Sequence, residues 1–165
     1  MARRKRRKAP KDEFRDPLGN YEPQEYSDSL ERSLCEDLIH QVMETKPFFS
    51  VSADASIEQA MKSMSEKSVA CAIVLEGDRM VGIFSERDVL NKVAGQFEQI
   101  KSMPVRIVMT HELLSVYETD SPAKALNMMA IGGFRHVPIL DLDEKVTGIV
   151  GPRRVIRYIQ PRIVG

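Results

Sequence analysis

Apolar residues fall at helical spacing behind a capping residue twice in the chain. Ile57, Ala60, Met61 and Met64 share one face after Ser56, and Gln59 stands at the capping-box position. Ser121 caps a second such stretch, with Pro122 in the first helical position. A short extended segment precedes each helix, Ser50-Val51 or Ser115-Val116. Each helix is followed by a nearly continuous apolar run, Val69 to Leu75 or Val137 to Leu140, which predicts a buried strand. A polar turn, Glu76–Arg79 or Asp141–Glu144, leads to a second strand, Met80–Phe84 or Val146–Val150, and so to a hairpin. A short helix closes each unit, Glu86–Ala94 or Pro152–Ile159. Upstream, Asp28 and Glu31 form a further capping box. Leu30, Leu34, Leu38 and Ile39 predict an amphipathic helix running to about His40. Residues 1–27 lack periodicity and contain Pro10, Pro17, Gly19 and Pro23, so a mostly disordered tail is expected there.

The two stretches are one repeat. Val42-Met43 returns as Val108-Met109. Ser56–Met61 returns as Ser121–Leu126, an offset of 65, and Ala72–Leu75 returns as Val137–Leu140. After one inserted residue, Val81–Phe84 returns as Thr147–Val150. Two units predict pseudo-two-fold pairing in which each covers the other's apolar face, whereas a solenoid wants at least three. The expected class is α+β (mixed α/β), with two β-α-β-β-α repeats. The expected boundaries are a tail at 1–27, a leading helix at 28–41, units at 42–96 and 97–160, and a short tail at 161–165.

Composition adds limits. The 165 residues are 42% hydrophobic and 29% charged, the balance of a globular protein. Cys35 and Cys71 are too few for a disulfide framework. No apolar run approaches the roughly 20 residues of a membrane span, and no secretory signal follows the basic start, so a cytoplasmic protein is expected. The net charge of zero hides seven basic residues in 1–11 and ten acidic ones in 12–44. The basic tip can contact nucleic acid or an acidic surface, and without aromatic residues such a contact is sequence-blind. His40, His111 and His136 are far apart, and the cysteines make no metal-type pair, so no metal site is expected. Asp141–Glu144 lacks the glycine of a calcium loop. No nucleophile–base set is visible, so an enzyme is not expected.

One segment carries candidate binding chemistry. A strand ends at Phe84 and Ser85 opens a helix, whose free N–H groups suit an anion. Arg87 adds a planar cation that takes phosphate oxygens in pairs. Asp88 is an acceptor-only carboxylate, which fits paired ribose hydroxyls. Apolar backbone from Val69 to Ala72 can flank a flat base. Alone, Ser85-x-x-Asp88 is a capping box, and most such patterns are only helix starts.

Gly82-Ile83-Phe84-Ser85-Glu86-Arg87-Asp88-Val89, Arg135-His136-Val137-Pro138-Ile139 and the repeat together resemble a tandem pair of cystathionine-β-synthase (CBS) domains, a Bateman module, over residues 36–160. The resemblance implies two motifs packed through their sheets and two related clefts for adenine nucleotides such as AMP, ADP or ATP. It implies a homodimer, a sensing role, a regulated protein partner and no obligatory cofactor. It maps the ribose contact to Asp88. The nucleotide-binding residues expected are Val51, Val69, Cys71, Phe84, Ser85, Arg87, Asp88, Arg135, His136 and Arg153. The second unit departs from the pattern: Gly151 replaces the hydroxyl and Arg154 stands where Asp88 stands. One competent cleft, built on the first unit, and one altered or empty cleft are therefore expected. The alternatives are a ligand-free scaffold and a nucleic-acid-associated regulator using residues 1–11.

Overall fold

The computed structural model describes residues 24–42, 48–111 and 114–163. The leading helix α1 spans Ser29–Glu36. Unit one comprises β1 (Ser50–Ser52), α2 (Ile57–Glu66), β2 (Cys71–Glu76), β3 (Arg79–Ser85) and α3 (Glu86–Asp88). A π turn over Val89–Val93 continues α3, and α4 (Phe97–Ile100) follows. Unit two comprises β4 (Val116–Tyr117), α5 (Pro122–Gly132), β5 (Val137–Leu140), β6 (Val146–Val150) and α6 (Pro152–Ile163). The basic tip, the acidic arm up to residue 23, Met43 and the last two residues lie outside the described residues.

Each unit has a three-stranded sheet, β1-β2-β3 or β4-β5-β6, with the first pair parallel and the second antiparallel. Val51 pairs with Val74 and Val116 with Ile139, the same register in both. Even the irregularity repeats, between Val74 and Leu75 and between Ile139 and Leu140. The one-residue insertion falls in the hairpin turn. Gly77 supplies a left-handed residue in the first turn, whereas in the second Glu144 adopts φ 61°. There Asp141 compensates by accepting from the amides of Asp143 and Lys145.

The caps form as the sequence predicts. Ser56 and Gln59 make a reciprocal box, and Ser121 accepts from the Lys124 amide. Asp28 accepts from the Glu31 amide, but the Glu31 carboxylate reaches Ser27 instead of Asp28.

Three apolar clusters hold the fold. Ile57, Ala60, Met64, Ala72, Val74 and Phe84 join unit one's helices to its sheet, and Val116, Ala125, Met129, Val137, Ile139 and Val155 do so in unit two. Cys71, Ile73 and Ile83 face the other way and meet Val146 and Ile149 of unit two. β2 is thus covered on both faces, which is why its sequence shows no alternation.

The units also exchange the segments that precede them. Val105, Val108 and Met109, which lead into unit two, are buried in the core of unit one. Ile39 and Val42, which lead into unit one, are buried in unit two. The backbone bonds are equivalent: Val105 donates to Ala55 at 2.8 Å, and Ile39 donates to Asp120 at 2.6 Å.

This exchange corrects the leading helix. It ends at Glu36, short of the expected His40, because Asp37 turns extended and a 3-10 turn carries Ile39 inward. Asp37 at the break accepts from the Tyr158 hydroxyl of α6 at 2.6 Å. The last helix runs past Ile159 to Ile163, so residues expected in a tail are helical, and Arg162 there donates to the Ser33 hydroxyl.

Candidate functional site

Ser85 ends β3 in extended backbone, and its side chain caps α3. Its hydroxyl accepts from the Asp88 amide, while Asp88 Oδ2 accepts from the Ser85 amide at 2.9 Å and from its hydroxyl at 2.7 Å. The other oxygen, Oδ1, accepts from Thr110 Oγ1 at 2.8 Å and pairs with Lys92 Nζ at 2.7 Å. Asp88 is 5% exposed, the one buried charged residue among those described. Burial pushes its carboxyl up, but hydrogen bonds from Lys92, Ser85 and Thr110, with the Lys92 charge, outweigh burial and hold it below the usual aspartate range.

Thr110 reaches Asp88 because the crossover segment bridges to β3. The Thr110 amide donates to Ile83 at 2.8 Å, and the Ile83 amide returns the bond at 3.0 Å. Gly82 permits this approach, since a Cβ there would lie 3.0 Å from the Thr110 carbonyl oxygen and closer still to Met109.

A cavity of about 220 Å³ opens at this point between the units. Unit one contributes Ala70, Ile83, the Ser85–Asp88 turn and, through the bridged segment, Thr110. Unit two contributes Gly132, Phe134, Arg135 and His136. Arg87 spans the mouth and donates through Nη1 to the Gly133 carbonyl at 2.7 Å. His136 is pushed below the usual histidine range, chiefly by burial; the Arg154 and Arg135 charges add to this and Glu86 opposes it, so its ring is neutral at pH 7. Gly151 makes room for that ring: a Cβ would stand 3.1 Å from His136 Cδ2.

Ser85, Arg87, Asp88, Arg135 and His136 thus line one cavity. The other five expected residues do not. Phe84 is fully buried among unit one's helices, because the strand turns it away from the cleft and its neighbour Ile83 toward it. Val51 packs on the same core. Cys71 belongs to the contact between the sheets, where burial pushes its thiol up to about 12. Val69 and Arg153 line a second depression of about 630 Å³ with Met61, Met64, Ser68 and Glu86.

That depression holds the repeat equivalents of the first cavity's residues. Val69 and Ala70 correspond to Phe134 and Arg135, Ser68 to the neighbouring Gly133, and Arg153 to Arg87. It has no carboxylate in the place of Asp88. Arg154 stands there and donates to the Ile149 carbonyl at 2.8 Å. Sequence reasoning missed Thr110, Lys92 and Phe134. Thr110 directly follows the repeated Val108-Met109, and Phe134 directly precedes Arg135, which were the only signals. Among the described residues no group of three His, Cys, Asp or Glu is placed to hold a metal ion, and no helix is long and apolar enough to cross a membrane.

The CBS domain family model matches residues 38–95 and again residues 101–161. The chain belongs to the CBS-domain family. The CBS chain is 33% identical over 122 residues to an uncharacterized 17.7 kDa protein of Acidianus ambivalens, covering 73% of this chain and 72% of that one. It spans only 53% and 56% of the length of two further curated relatives. A protein with CBS domains from Burkholderia ambifaria superposes with a TM-score of 0.68 at 27% identity, over 74% of this chain and 93% of the other. The CBS protein CBSX2, solved in complex with AMP, superposes with a TM-score of 0.65 at 23% identity, over 76% and 98%. The tandem CBS pair and its α+β fold are therefore shown.

Proposed function

We propose that this CBS pair is a regulatory module that binds an adenine nucleotide, AMP, ADP or ATP, in the cleft carrying Asp88. The observation that supports it is the convergence of a ribose-type acceptor, a helix-opening serine and two arginines from opposite units on one cavity. Asp88 reads ribose hydroxyls, Ser85 and Arg87 receive phosphate, and Ala70, Ile83 and Phe134 bound the base. The neutral His136 ring offers an acceptor to an amino group. The structure of CBSX2 with AMP adds weight by fold likeness. Nucleotide acts as a regulatory ligand and not as an obligatory cofactor. Because both units line the cleft, a ligand that favours one arrangement of the units alters what a protein partner, or a second copy in a homodimer, meets.

A specific observation favours a second reading. Every oxygen lone pair of Asp88 already has a donor within the chain, as a ligand-free scaffold would have it. Thermal unfolding with AMP, ADP, ATP and GTP, on the wild type and Asp88→Ala, separates the two. A ligand at 100 times its Kd adds about 2.7 kcal/mol. The sensor reading requires a rise in Tm for an adenine nucleotide that Asp88→Ala removes. No rise with any nucleotide leaves the scaffold. A salt-sensitive contact of residues 1–11 with nucleic acid is a third reading, tested by removing those residues.

A further inference from the structure

Lys92 lies outside the cavity yet touches two of the groups that shape it. Its ammonium is 2.7 Å from Asp88 Oδ1 and 3.4 Å from Thr110 Oγ1. It also donates to the carbonyls of Val108 at 2.9 Å and Met109 at 3.2 Å. An ammonium carries three protons, and all four of these oxygens belong either to Asp88 or to the segment crossing into unit two.

The repeat shows what is particular about this. Tyr158 occupies the equivalent position in unit two. It too anchors the segment entering the other unit, donating to Asp37 at 2.6 Å and Gln41 at 3.2 Å. Anchoring is therefore met at this position without an ammonium. Only in unit one is the carboxylate beside this position buried and the residue at the position itself cationic; in unit two the half-buried Asp37 is also paired, with Arg162 one turn on, at 3.4 Å.

We propose that Lys92 is a positioning residue of the cleft, whose ammonium locks the Asp88 carboxylate and the Val108–Thr110 segment into one arrangement. The other charged or titratable groups lining the cavity are Glu86 and Arg87 of α3 and Arg135 and His136 ahead of β5. None of them hydrogen-bonds the carboxylate. Two consequences rest on the nucleotide reading. A charge-balanced Asp88 sits beside a phosphate without strong repulsion. Any shift of Asp88 toward ligand hydroxyls also pulls, through Lys92, on the chain entering unit two.

The test uses the full chain, with Lys92→Met to remove the ammonium and Lys92→Arg to restore charge. Circular dichroism and Tm check folding; Lys92→Gln takes the place of Lys92→Met if that variant does not fold. The Asp88 carboxyl carbon is titrated by NMR without nucleotide, and AMP affinity is measured calorimetrically from pH 7.5 to 5. In Lys92→Met the carboxyl should titrate at higher pH than in the wild type, and Lys92→Arg should return it. The ratio of wild-type to Lys92→Met AMP affinity should rise by up to about tenfold per pH unit below that new midpoint, since titration of the AMP phosphate, about pH 6, and of His136 is common to both proteins. An unchanged Asp88 midpoint in Lys92→Met overturns the proposal. A shifted midpoint in a protein whose wild type binds no AMP upholds Lys92 and overturns the nucleotide reading.

Discussion

Arg87 of unit one donates to the main-chain carbonyl of Gly133 in unit two at 2.7 Å, across the mouth of the cleft. Gly133 offers that carbonyl because it terminates α5 in the left-handed conformation, φ 65°. A phosphate drawn to Arg87 must compete with this inter-unit bond. Arg87→Ala should therefore cost little stability, about 0.5 kcal/mol for an exposed hydrogen bond. It should weaken AMP binding more than adenosine binding. Urea unfolding and calorimetry with both ligands measure the two effects, and equal losses for AMP and adenosine would count against a phosphate contact.

Asp88 makes the fold acid-labile in a defined window. Its carboxyl lies below the usual range in the folded protein, while the unfolded chain has a value of about 3.9. The unfolded state therefore takes up the proton first. The stabilisation is complete above the unfolded value and is lost as pH falls through the folded one. Urea unfolding of wild type and Asp88→Asn at a series of pH values should give a difference that shrinks below about pH 4. A difference that stays constant would mean that Asp88 is not held ionised.

Gly151→Ser should damage the first cleft, although Gly151 belongs to unit two. The new Cβ would meet His136 Cδ2 at 3.1 Å and the Arg135 carbonyl oxygen at 3.2 Å. His136 must then move or the strand must shift, at a cost of about 1–3 kcal/mol. The NMR shifts of His136 and the adenine-ligand affinity should change together. Ligand affinity indistinguishable from wild type would place His136 outside the binding geometry.

Cys71 should be inert in the native protein. Its thiol is 7% exposed and pushed up to about 12, chiefly by burial, so almost no thiolate exists at pH 8. Iodoacetamide should label the half-buried Cys35 first and reach Cys71 only after unfolding. Mass spectrometry of the digested protein reads this directly, and rapid native labelling of Cys71 would contradict its burial.

Phe84→Ala separates core from site. Phe84 is fully buried, and its truncation should cost about 3–5 kcal/mol. Ligand affinity of whatever fraction remains folded should change little, because Ile83, not Phe84, borders the cavity. A loss of affinity in a fully folded variant would return Phe84 to the binding surface.

The sequence by itself determined what depends on near neighbours. Ser56 with Gln59, Ser121 with Pro122 and Ser85 with Asp88 announce helix starts, because a cap is made within three residues. The offset between Ser56–Met61 and Ser121–Leu126 announces two equivalent units, and Arg154 in the place of Asp88 announces their inequality. Only the tertiary structure decided which side of each strand faces what. The run from Val69 to Leu75 is apolar throughout, since Ala72 and Val74 meet helices while Cys71 and Ile73 meet the other sheet. Without alternation, no rule of period two could tell core from cleft, so Phe84 and Cys71 were expected in a site they do not line. Lys92 and Thr110 were equally hidden. Their partner is Asp88, and the hydrogen bond from Thr110 spans 22 residues. It exists because the segment leading into unit two, with Val105, Val108 and Met109, exchanges into the core of unit one. That exchange is a matter of shape and burial between distant parts of the chain, and no local pattern encodes it.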